Sequence, residues 1–210
     1  MISRIFAAFL VTVFISGCAG IKGVKNTNLY DQIPKNAKYS INLEYGDDIT
    51  GAQIQKMLDY QLQQLGLSKI DDPKLADVVV RYGFDVKLVG KNSTAFTTVQ
   101  PGKSTATIIG NTAYIKSRPS TATTFVSDDD EFEKSIQVLI QSQSGKKLWE
   151  GKVSEKGWCN QIFVTAPHIF ALMFENFPEP AINIREMVAN NSAVERYKAI
   201  FPKNTNWGCR

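Results

Sequence analysis

Histidine is nearly missing from this chain: His168 is the only one among 210 residues, and cysteine occurs three times, at Cys18, Cys159 and Cys209. That scarcity excludes most metal chemistry. With no Cys-x-x-Cys and no His-Glu-x-x-His, the nitrogen and sulfur donors of zinc sites are absent in ligand spacing. Carboxylates remain, but the one dense cluster, Ser127 to Glu131, lacks the alternating oxygen donors and the glycine of a calcium loop. It reads as a solvated turn entering a strand, so no metal and no cofactor is expected. Blocks of positive charge are also missing. No Lys/Arg run is longer than Lys146-Lys147, and 24 basic against 20 acidic residues leave a net charge of +4. A nucleic-acid surface needs a basic stripe with interleaved aromatics, and none is visible. Pro101-Gly102-Lys103-Ser104-Thr105 looks like part of a phosphate loop, but Thr97 stands where that motif needs its first glycine.

Long apolar runs are lacking too, apart from one at the N-terminus. Arg4 is followed by an uncharged stretch from Ile5 to Ile15. It is shorter than the roughly 20 residues of a spanning helix and has signal-peptide proportions. Ser16, Gly17 and Cys18 follow directly. This run resembles the lipobox of bacterial lipoproteins. The resemblance implies cleavage before Cys18, a diacylglyceryl group on its thiol and a membrane anchor. Ala19 rather than Asp after the cysteine implies sorting to the outer membrane, with the domain in the periplasm. The expected organisation is a cleaved leader over 1–17, a lipidated Cys18 with a polar tether to residue 38, and a domain over 39–210. Removing residues 1–17 from the 210 leaves 193, and the loss of Arg4 lowers the charge from +4 to +3.

Within the domain, Tyr39–Tyr45 alternates as a first strand. Ile54, Met57, Leu58, Leu62 and Leu65 recur at helical spacing, with Thr50 and Gln53 as a capping box and Gly66 as the stop. Val78, Val80, Tyr82, Phe84, Val86 and Leu88 share one face of a half-buried strand. A second hairpin turns at Ser144-Gly145, with Phe132, Ile136, Val138 and Ile140 on one face. Thr165 is placed to cap a helix with Pro167 in its first turn, the stretch from Ile182 to Asn190 reads as another helix, and Ser192 with Glu195 opens the last one. The expected fold is α+β: a single domain whose mainly antiparallel β-sheet packs against helices on one face, with C-terminal helices. Residues about 90–128 are rich in Ser and Thr. They read as an insertion, partly a hairpin turning at Gly110-Asn111 and otherwise a long loop.

The stretch Asp72–Val86, with Ala76-Asp77 before a valine-rich strand, the Leu148-Trp149-x-Gly151 strand after Ser144-Gly145, and Phe201-Pro202 resemble the lipoprotein family catalogued as domain of unknown function 4136. The resemblance implies an envelope lipoprotein with an α+β domain and adds no chemistry.

Cys159 and Cys209 remain once Cys18 is lipidated. In an oxidising compartment they read as a disulfide tying down the C-terminal tail; the alternatives are two free thiols or a Cys209 that faces a partner. His168 lies nine residues after Cys159. A thiol–imidazole pair is one route to a nucleophile, but an imidazolium is poorly placed at the start of an apolar helix, and no catalytic residue is assigned. Two functional classes follow. One is a non-catalytic binding or scaffold lipoprotein, contacting another envelope protein or a glycan through Phe96, Tyr114 and Phe125 of the insertion. The other is an envelope hydrolase of peptide or cell-wall material, which would need a cleft of convergent carboxylates or an activated Cys159.

Overall fold

The computed structural model describes residues 23–109, 112–185 and 191–209. Cys18 lies outside them. The elements in chain order are β1 (Gly23–Leu29), β2 (Lys38–Tyr45), α1 (Asp48–Gln64), β3 (Ser68–Lys69), β4 (Val78–Gln100), β5 (Ser104–Ile109), β6 (Thr112–Ser117), β7 (Thr121–Ser142), β8 (Lys147–Gly157), α2 (Ile162–Met173), β9 (Ala181–Arg185) and α3 (Asn191–Ala199). Seven strands form one curled sheet in the order β3-β2-β4-β7-β8-β1-β9, and β5 pairs with β6 alone. Only β2 runs parallel to its neighbours β3 and β4, because α1 carries the chain back between β2 and β4. The fold is therefore the expected α+β domain, with a mixed sheet that is mainly antiparallel.

The alternation in β4 and β7 fixes which face is buried. Val80 lies opposite Ile140, Tyr82 opposite Val138 and Phe84 opposite Ile136. All six are buried beneath Ile54, Met57, Leu58 and Leu62 of α1 and Ile169 and Phe170 of α2. Trp149 of β8 is fully buried, stacked on Phe174 at 5.5 Å and edge-on to Phe177 at 5.0 Å. Gly151 makes room for it: a Cβ there would run into the indole ring. Gly145 turns the β7–β8 hairpin at φ 84°, a conformation suited to glycine.

Several boundaries differ from the sequence reading. The tether contains a strand, since β1 occupies Gly23–Leu29 and pairs along its whole length with β8. Helix α1 is capped by Asp47, whose carboxylate accepts the amide of Thr50 at 2.7 Å, so Thr50 lies inside the helix instead of capping it. Gly66, at φ 85°, follows the helix as expected. Helix α2 begins at Ile162, which places both Thr165 and Pro167 inside it. Ala181–Arg185 is strand β9, captured by the free edge of β1, where Asn26 Oδ1 accepts the Asn183 amide at 3.0 Å. Residues 186–190 of the expected helix lie outside the described residues.

Candidate functional site

The Ser/Thr-rich segment departs most from expectation: what read as a long loop is a β arm. Strand β4 pairs with β2 only as far as Gly83, and β7 pairs with β8 only from Phe132. Beyond those points β4 and β7 continue alone, paired to each other from Gly90↔Glu131 to Gln100↔Thr121. At a rise of about 3.4 Å per residue the ten steps from Gly90 to Gln100 carry the ribbon roughly 34 Å from the sheet. Then β5 and β6 take up the ladder. Ser104 faces Ser117, with 101–103 and 118–120 between the two ribbons, and β5 pairs antiparallel with β6 as far as Ile109↔Thr112; the expected turn at Gly110-Asn111 lies outside the described residues. Threonine and valine suit this extended backbone. The hydrophobic period was hidden because both faces of the arm meet solvent.

The arm brings two of the three proposed contact residues together. Phe96 and Phe125 are directly opposite, with ring centroids 5.1 Å apart and planes 20° apart, and remain 60% and 48% exposed. Val99 and Val126 are also exposed. Thr97 and Thr124 share a hydrogen bond of 2.9 Å, and Ser93 donates to Asp128 at 2.5 Å. Tyr114 lies elsewhere, opposite Thr107 in β6. Charge is segregated along the arm. Asp128, Asp129, Asp130 and Glu131 form its root on β7, Lys91 lies opposite Asp130 on β4, and 92–100 and 119–127 carry no charge.

At the end of the sheet where the arm leaves, a buried polar group supports its root. Gly23, Glu155, Lys134 and Val86 lie in one row across four strands. Lys134 is fully buried; its Nζ donates to the Cys159 carbonyl at 2.6 Å and stands 3.6 Å from Glu155 Oε1. Burial pushes the Glu155 carboxyl above its ordinary range, against the pull of Lys134 and Thr165. The sequence offered no sign of this pair, because Lys134 and Glu155 look like ordinary charges on alternating strands.

Cys159 and Cys209 are bonded, with Cα atoms 5.5 Å apart. Trp207 of the same tail stacks on Phe163 at 4.6 Å. Cys159 is thus not a free thiol, which leaves a Cys–His nucleophile without its sulfur. His168 is partly buried within α2, its Nδ1 without a hydrogen-bond partner, and burial lowers its pKa. Among the described residues no group of three or more His, Cys, Asp or Glu is gathered as a metal site. A groove of about 810 Å³ is lined mainly by apolar and amide residues, including Leu29, Ile33, Leu67 and Phe177. It contains no carboxylate.

No family model and no curated protein matches the chain. Solved structures resemble it, among them the following two. A PDZ domain protein from Parabacteroides distasonis aligns at TM-score 0.41 and 13% identity over 80% of this chain, which spans 39% of that protein. A PelC dodecamer from Paraburkholderia phytofirmans aligns at TM-score 0.41 and 10% identity, covering 72% of this chain and 94% of that one.

Proposed function

We propose that this chain is a lipid-anchored protein of the bacterial outer membrane, held through a diacylglyceryl Cys18 with its domain in the periplasm. It acts as a non-catalytic binding or scaffold module, and the arm is its contact surface. The observation that carries this reading is the arm itself: a two-stranded ribbon whose outer edges pair with no strand among the described residues, with an exposed Phe96–Phe125 stack at its centre. An isolated two-stranded ribbon is marginal in water, and open edges invite pairing with another chain. The resemblance of Ile15–Cys18 to a lipobox supports the anchor.

The first described residue, Gly23, lies at the end of the sheet from which the arm leaves. Gly23 shares a row with Val86 near the arm's root and follows Cys18 by five positions. Five extended residues reach at most about 17 Å, so the root would stay close to the membrane surface. Cys18→Ser should abolish incorporation of labelled palmitate. A photo-crosslinker at position 96 should capture an envelope component in cells. Unchanged labelling sinks the anchor; no capture sinks the contact role.

A further inference from the structure

The arm's two outer edges differ in charge and match each other. Where both outer edges are open, the β4 edge carries Lys91 and the β7 edge carries Asp128, Asp129, Asp130 and Glu131; from Phe132 onward the outer side of β7 is taken by β8. Within one chain the register already sets Lys87 opposite Glu133 and Lys91 opposite Asp130. Past this charged root both edges are neutral and made of Thr, Ser, Ala, Val and Phe with Asn92 and Gln100. Elsewhere the main sheet ends in short strands, two residues in β3 and five in β9. The arm is where long edges stand open. No proline interrupts 90–100 or 121–131, and Lys91 is the only lysine within them.

Resting on the reading that the arm is the contact surface, we propose that its partner is a second copy of this chain, added head to tail. The β4 edge of one arm pairs antiparallel with the β7 edge of the next. That addition continues the strand order inside the ribbon, β4 out and β7 back, and can repeat the same register between chains. Lys91 of one copy then lies beside Asp130 in the acidic run of its neighbour. Phe96 and Phe125 extend from a pair into a cross-strand aromatic ladder, which covers faces now open to water. The Thr97–Thr124 contact repeats in the same way. Because the two edges are different surfaces, the contact is heterologous. It satisfies every edge only when the ring of copies closes.

The test uses two full-length chains with different tags, one carrying Ala95→Cys and the other Val126→Cys, produced together and oxidised mildly in the envelope. Ala95 and Val126 face each other within a chain, so head-to-tail pairing at that register sets them opposite each other between chains. The expected result is a mixed disulfide carrying both tags, lost when either variant is produced alone. Crosslinking of Ala95→Cys to itself overturns the proposal in favour of same-edge pairing. Shielding of position 95 from a soluble thiol reagent only by phospholipid vesicles, without a mixed disulfide, overturns it in favour of the bilayer. Capture of a different envelope protein at position 96, again without a mixed disulfide, overturns self-pairing and leaves the contact role standing. A position 95 that reacts freely under every condition overturns both. The same pair in a Cys18→Ser background separates the anchor from the pairing: a retained mixed disulfide shows that pairing does not need the lipid.

Discussion

Phe96 stacks on Phe125 across the arm at 5.1 Å, about 20 Å out from the arm's root at Gly90, and neither ring belongs to the core cluster. Such a pair contributes little to the stability of the domain. Phe96→Ser with Phe125→Ser should shift unfolding of the domain by under about 1 kcal/mol, as surface changes do. Capture of a partner through the arm should be lost. Thermal unfolding beside crosslinking yield checks both halves.

The Cys159–Cys209 bond closes a loop with a sequence separation of 50. Chain-entropy arithmetic puts its stabilisation at about 4 kcal/mol, and natural bridges of this kind contribute roughly 2–5. Cys209→Ser should therefore lower the denaturant midpoint clearly. Trp207 on Phe163 should hold part of the tail even then, and protease cleavage of the tail with and without reductant measures that.

Trp149 occupies the space that a side chain at position 151 would need. Gly151→Val must displace the indole from Phe174 and Phe177 or move the strand. Overpacking of this sort costs about 1–3 kcal/mol or more. Trp149→Ala leaves a large cavity and should cost about 3–5 kcal/mol. Urea denaturation of the two variants gives both values.

Glu155 supplies a pH dependence whose sign is fixed. Burial raises its folded pKa above the ordinary 4.5. The folded state therefore holds the proton more tightly than the unfolded chain does. The resulting stability is present below pH 4.5 and is lost as pH rises through the higher folded value. Glu155→Gln removes that loss. The stability difference between Glu155→Gln and wild type should move in favour of the variant from pH 4 upward, read from denaturant curves at each pH. Removing its buried partner by Lys134→Met should be destabilising at neutral pH, by about 3–5 kcal/mol if the carboxylate stays charged.

The parts of the fold legible in the sequence are those where one face meets the core and the other meets water. Val78 to Phe84, Ile136 to Ile140 and the stripe of α1 are of that kind. Strand β1 was hidden because it buries Lys25 and Thr27 rather than apolar side chains; Lys25 reaches the Glu175 carbonyl at 2.6 Å and Thr27 the Glu179 carbonyl at 3.0 Å. Strand β9 was hidden because its pairing to β1 is tertiary and outweighs a helical pattern. In the arm, Phe96 and Phe125 were visible as exposed aromatics in a polar segment. Their stacking depends on the register that holds beyond the shift between Leu88 and Gly90, from Gly90↔Glu131 outward, which no local signal encodes.

The most direct measurement places a photo-crosslinking side chain at Phe96 in one strain and at Lys152, on the exposed side of β8, in another, with the native anchor present in both. Crosslinked product at position 96 and none at 152 is expected if the arm is the contact surface. Equal capture at the two positions, or capture at 152 alone, would move the contact to the body of the domain and leave the arm without a role.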